Sequence, residues 1–235
     1  MKAVVVTWQD PDSRLWIPVG RLSRDKTCYT FVYARGAEES KNFVPFPRMK
    51  DLRRRYVSED LFPIFANRVM PASRPEYQEY IHWLGVANGD PLHLLARSEG
   101  IKVTDGLQLY PVPDRQAIYE MSFFCHGIRH LPKEAQSRVD VLQPGERLFP
   151  MLDVQNPFDA KAVALRTNDP IVLVGYCPSF LAQDIKVLLQ DSTAQIIVEQ
   201  RNDNAPIQLR LLCKFSAVWP EAFMPFDDPR FLPLA

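Results

Sequence analysis

The chain has 235 residues, with 28 lysines and arginines against 28 aspartates and glutamates, and 46% of it is hydrophobic. That length can bury one large core or two small ones. A net charge of zero excludes a protein that coats nucleic acid by bulk charge, though a local basic groove is compatible with it.

No apolar run approaches the roughly 18 residues that span a membrane, and the run in "MKAVVVTWQD" is too short for a signal peptide. A soluble, cytoplasmic protein is therefore expected. Cys28, Cys125, Cys177 and Cys213 are far apart, lack CxxC spacing and lie in apolar runs. Buried free thiols in a reducing compartment fit them best. Twenty-one prolines against nine glycines predict many short elements joined by proline-marked turns.

In chain order, "KAVVVTW", "WIPVGRLS" and "CYTFVYAR" are β-branched and aromatic, and predict three antiparallel strands. Helical signals follow. Ser58 is a candidate cap for "EDLFPIFANRVM", although Pro63 fits only its first turn. Ser73 is a candidate cap for "RPEYQEYIHWLGV", and Asp90 for "PLHLLARS", which Gly100 stops. Strands return near 107–112, 119–129, 146–154, 161–167, 171–177, 194–200 and 207–219. One helix, "SFLAQDIKVLLQ", starts at Ser179 and turns Leu181, Ile185, Leu188 and Leu189 inward. The fold class is α+β: a strand-rich first half with helices, then a mainly β, barrel-like second half. Pro111 and Pro113 mark a boundary between domains at 1–113 and 114–235.

Groupings that carry catalysis are sparse. Neither a Gly-rich phosphate loop nor a GxSxG elbow is present. His126 and His130 bracket "HGIRH", but on a strand running into a loop they are too far apart for one ion without a turn. With no catalytic residues, metal or cofactor indicated, a binding module rather than an enzyme is expected. The run "RMKDLRRRY", Arg48 to Tyr56, is the one dense basic patch. Arg53, Arg54 and Arg55 are candidate phosphate contacts, with a solvated loop as the plain alternative.

Three segments then share a pattern: "YEMSFFCHG", an aromatic strand ending in glycine; "LQPGERLFPMLDVQNPFDAKAVAL"; and "VLVGYCPSFLAQDI". Residues 119–178 with these features resemble a HIRAN domain, a small β-barrel-like module fused to some DNA-remodelling ATPases and standing alone in bacteria. Residues 17–111 are similar, more loosely, to the N-terminal region of HipA-type kinases, on Gly20, Phe31, Tyr33, Phe62, Phe65, Pro71, Leu94, Leu95, Asp105 and Gly106. The kinase core is missing, so this likeness implies an interaction scaffold without phosphoryl transfer.

The HIRAN resemblance implies capture of single-stranded DNA at a free 3′ end. Carried over position by position, Phe158 is the aromatic platform and Asp159 the group that accepts a hydrogen bond from the 3′-hydroxyl. Phe124 is a second stacking surface, and Tyr176 a backbone contact. Phe158 and Lys161 depart from the commoner tyrosine and asparagine, Lys161 adding a candidate phosphate contact. Phe123 and Phe124 replace an arginine–tyrosine pair, for which Arg129 and Arg166 are candidate substitutes. Asn156-Pro157-Phe158-Asp159 is also a natural turn, because asparagine and aspartate side chains bond their own backbone. The HipA-like resemblance implies a different partner, a kinase-like or helix-turn-helix protein in a toxin–antitoxin or defence system.

Overall fold

The computed structural model describes residues 2–87, 89–102, 105–157, 159–190 and 193–235. The chain divides into two compact units, Met1–His82 with Val86–Asp114 and Met224–Ala235, and Trp83–Gly85 with Arg115–Phe223. The architecture is α+β, with one antiparallel sheet in each unit.

In the first unit β1 (Ala3–Gln9), β2 (Trp16–Arg24) and β3 (Tyr29–Tyr33) form the expected meander. A short β4 (Tyr56–Ser58) adds to β3, and β5 (Leu107–Pro111) adds to β1, giving the order β4-β3-β2-β1-β5. Alternation sends Val4 and Val6, then Tyr29, Phe31 and Tyr33, then Leu107 and Leu109 into one core. Phe31 is its centre, with ring centroids of Tyr33, Phe65 and Phe46 at 4.8, 5.5 and 5.6 Å. Each such fully buried side chain contributes about 1.5–3 kcal/mol of transfer free energy.

The helices here are α1 (Arg35–Glu39), α2 (Pro63–Ala66), α3 (Tyr77–Trp83) and α4 (Pro91–Arg97). The Asp90 side chain caps α4, accepting from the Leu92 and His93 N–H groups at 3.0 and 3.1 Å. The other two expected caps are corrected. Ser58 ends β4, paired with Tyr29; the following helix starts only at Pro63, whose ring suits the first turn and no later one. Ser73 lies in consecutive turns closed by Arg74 N–H to Pro71 O and Tyr77 N–H to Arg74 O, each 3.1 Å, so α3 begins at Tyr77.

In the second unit β6 (Ile118–Phe124), β7 (Arg147–Leu152), β8 (Val163–Arg166), β9 (Leu173–Tyr176), β10 (Gln195–Arg201) and β11 (Leu211–Val218) form a curled sheet. Its order is β6-β11-β10-β7-β8-β9. The first and last strands meet at one rung: His126 N–H donates to Tyr176 O at 2.8 Å and Tyr176 N–H to His126 O at 2.9 Å. The strand expected over 119–129 stops at Phe124, since Gly127 turns the chain at φ 76° into a single 3-10 turn. Residues 207–209, expected as strand, also form a 3-10 turn, after Pro206.

Two helices serve this sheet. α5 (Lys133–Val139) was not expected, and buries only Ala135 and Val139. α6 (Ser179–Leu188) places Leu181, Ile185 and Leu188 in the core as expected. Ser179 is its first helical residue rather than its cap. On α6 the Asp184 carboxylate accepts from the Tyr119 hydroxyl at 3.0 Å, tying the helix to β6.

Register brings Cys125, Cys177 and Cys213 into this core, which their sequence spacing did not reveal. Burial holds the Cys177 thiol well above its ordinary pKa, and the Cys213 thiol is raised first by its bond with Cys125 and then by burial. Only a thiolate attacks a disulfide reagent. In the native protein a coloured aromatic disulfide is expected to titrate the half-buried Cys28 promptly, and the other three thiols only after denaturant. Four fast thiols would contradict this packing.

Candidate nucleic-acid interface

β7, β8 and β9 build an outward face by alternation. Leu148, Val163, Leu165 and Val174 point into the core, so Arg147, Phe149, Met151 and Asp153 project the other way, with Ala164 and Arg166 of β8 and Tyr176 of β9. The register confirms the rows: Phe149 pairs with Arg166, Met151 with Ala164, and Ala164 with Tyr176. The half-buried Phe149 ring lies between two guanidinium groups, 5.2 Å from Arg147 and 5.1 Å from Arg166. Cations over an aromatic face are attracted by its quadrupole. Both charges are thereby held at the surface of one sheet face.

The far end of that face is a hydrogen-bonded corner. The Tyr176 hydroxyl donates to Asp153 Oδ2 at 3.0 Å, and Asn156 Nδ2 donates to the same oxygen at 3.2 Å. Asn156 Oδ1 accepts from Asp159 N–H at 3.1 Å, and Asp159 Oδ1 accepts from Lys161 N–H at 2.8 Å. Backbone bonds from Asp153 N–H to Ala162 O and from Ala162 N–H to Asp159 O, both 3.0 Å, close the base. Partial burial, and then the bond to the Asp153 carboxylate, raise the Tyr176 pKa. Its hydroxyl therefore stays a proton donor through the neutral range.

Gly127 is needed at this corner. A Cβ there would lie 3.1 Å from the Tyr176 ring, which packs over it. The β6–β9 rung thus seats Tyr176 as well as closing the sheet.

The candidate residues divide accordingly. Asn156, Asp159, Lys161 and Tyr176 come together at the corner, and Arg166 lies on the same face. Asp159 is half-exposed and Lys161 exposed. Both ends of the Asn156 amide are used internally, so Asn156 organises the turn. Phe158 lies outside the described residues. Phe124 leaves the opposite side of β6 from the core residue Phe123 and is 3% exposed, so it offers no open ring face in this conformation. Arg129 is exposed on the 3-10 turn, its Nε donating to His130 Nε2 at 2.9 Å. Arg53, Arg54 and Arg55 belong to the first unit; Arg53 pairs with Glu38 at 2.6 Å. Sequence reading missed Asp153, Arg147 and Phe149. For the last two the signal existed, because counting back across the turn from "AVALR" sets Phe149 opposite Arg166.

Residues 118–219 match the family model described as HIRAN domain. This segment is a HIRAN domain. Solved structures similar to it include the HIRAN domain of human HLTF, at 19% identity and a TM-score of 0.33, over 43% of this chain and 77% of that one. A protein from Lactobacillus plantarum is similar at 14% identity and a TM-score of 0.32, over 43% and 98%. No curated protein matches. The resemblance of residues 17–111 to HipA-type kinases, and with it a toxin–antitoxin role, finds no support in these comparisons. Among the described residues no helix is long and apolar enough to cross a membrane.

Proposed function

We propose that the HIRAN domain of this chain binds the 3′ end of single-stranded DNA on the outer face of β7, β8 and β9, as a binding module without a reaction of its own. HIRAN domains are known to bind DNA 3′ ends. The observation that carries the reading here is the corner itself: a half-exposed Asp159 held by Asn156 and Lys161 N–H, with Tyr176 and Asp153 in the same bonded network. A carboxylate accepts from a terminal hydroxyl and repels a phosphate, so it distinguishes an end from a continued backbone. Arg147 and Arg166, on Phe149, supply cations along the same face for the preceding phosphates.

Fluorescence anisotropy with oligonucleotides ending in a 3′-hydroxyl or a 3′-phosphate tests this. The hydroxyl end is expected to bind about tenfold or more tightly, corresponding to roughly 1.4 kcal/mol. Asp159→Asn keeps the oxygen that accepts from Lys161 N–H but loses the charge, so it should erase that preference while leaving the urea midpoint unchanged. Arg166→Gln should instead weaken both ends alike and lower the salt dependence by about one charge. Binding indifferent to the end group would overturn the reading.

A further inference from the structure

The first unit contains a cleft of about 600 Å³ in which Arg48, Arg54 and Arg55 stand against an apolar wall that includes Tyr56, Phe62 and Ile64. No aspartate or glutamate lines it. Among the described residues none of the three guanidinium groups is in an ion pair. Of the nearby carboxylates, Glu38 pairs with Arg53 at 2.6 Å and Asp51 Oδ1 accepts from Arg53 N–H at 2.9 Å, while Glu59 and Asp60, exposed between Ser58 and Phe62, do not line the cleft. The cation that sequence reading grouped with Arg54 and Arg55 therefore points away, and Arg48, eight residues from Tyr56 in the chain, takes its place.

Two tyrosine hydroxyls fix the loops that carry these arginines. Tyr33, in the core, accepts from Phe46 N–H at 2.8 Å and donates to Met49 O at 2.7 Å, which pins the turn bearing Arg48. Tyr56 accepts from Asp51 N–H at 2.8 Å and donates to Asp51 O at 2.9 Å, closing the loop that bears Arg54 and Arg55. Arg48 itself has φ 65°, a conformation an ordinary side chain adopts only when its surroundings hold it there. Loops fixed before a ligand arrives spare the ordering cost of binding.

We propose that this cleft binds a nucleotide, with its phosphate on Arg48, Arg54 and Arg55 and its base along the Phe62–Ile64 wall, the Tyr56 ring being covered by the Arg54 guanidinium 5.6 Å from its centroid. Guanidinium forks match phosphate oxygens two at a time. An apolar and aromatic wall suits a planar base, and the volume falls within the range of small-molecule sites. The same chemistry is offered by a free nucleotide and by the terminal nucleotide of a strand. The site lies in the first unit and does not depend on the reading of the HIRAN face.

Calorimetry of the full chain with AMP, adenosine and inorganic phosphate tests it. AMP is expected to bind, with adenosine and phosphate each weaker by about tenfold or more, since each keeps only part of the contact. Arg54→Gln and Arg48→Gln should each weaken AMP by about tenfold. Lys50→Gln, which removes an exposed charge that does not line the cleft, should change it less than about twofold. Competition against AMP by a short oligonucleotide in the Asp159→Asn background would assign the strand end as the source; lack of competition would assign the free nucleotide. The proposal is overturned if AMP does not bind at millimolar concentration, if phosphate alone binds as well as AMP, or if Lys50→Gln weakens AMP as much as Arg54→Gln.

Discussion

Replacing Gly175 by alanine is expected to destabilise the HIRAN domain by about 2–4 kcal/mol, more than other small changes in the sheet. Gly175 has φ 143°, which side-chain-bearing residues rarely adopt. A Cβ there would also sit 2.4 Å from Cys125 Sγ and 2.6 Å from His126 O. The second contact is with backbone, and it is the carbonyl that accepts in the β6–β9 rung, so relief requires the rung to open. Gly145 provides the comparison: it has φ 86°, and an added Cβ meets nothing within 4 Å. Gly145→Ala should cost only the backbone strain, about 1 kcal/mol. Urea unfolding of the two variants reads the difference as a shift in midpoint at constant slope. Equal losses would mean that the crowding at Gly175 is absent.

Asp105→Asn is expected to lower the stability of the first unit by about 3 kcal/mol. The Arg68 side chain is 2% exposed and is paired with Asp105. Its Nε donates to Ile64 O at 3.1 Å and one Nη to Gly100 O at 2.7 Å. Removing the counter-charge leaves a buried guanidinium satisfied only by carbonyls, and breaking such a pair typically costs about 3–5 kcal/mol. The Asp105 side chain is 37% exposed, so solvent softens the loss towards the lower end. Asparagine keeps an oxygen for the Leu107 N–H, which Asp105 Oδ1 accepts at 3.2 Å. Arg68→Met in the same background should restore part of the loss, because an apolar side chain leaves no charge behind. A cycle of the four proteins by denaturant titration measures the coupling. Additive losses would show that the pair contributes nothing beyond its separate contacts.

The second-half strands were legible in the sequence as short apolar runs between turn residues: those expected near 161–167 and 171–177 are β8 (Val163–Arg166) and β9 (Leu173–Tyr176). The Asp90 cap was legible for a similar reason, since aspartate, proline and an apolar run carry their own geometry. By contrast, α5 buries just Ala135 and Val139, too few apolar positions to set a period. Ser58 and Ser73 had the right chemistry for caps, but β4 pairing claimed one and successive turns placed the other away from its helix. The candidate site was half legible. Its turn residues announce themselves, whereas Asp153 gains its role only when β9 brings Tyr176 across to it. The exchange of Arg53 for Arg48 in the basic cleft was hidden too, because Glu38 and Tyr33 act across the fold rather than along the chain.

The single rung between His126 and Tyr176 also bears on how the domain behaves among its own copies. A sheet with two free margins presents two rows of unsatisfied amides and carbonyls that can recruit strands from neighbouring molecules. Here the two margins satisfy one another where they converge, and α6, tied to β6 through Tyr119 and Asp184, covers core surface beside them. Two hydrogen bonds thus act as protection against self-association. A protein whose rung has been forced open should form oligomers by strand addition before it loses its overall content of secondary structure.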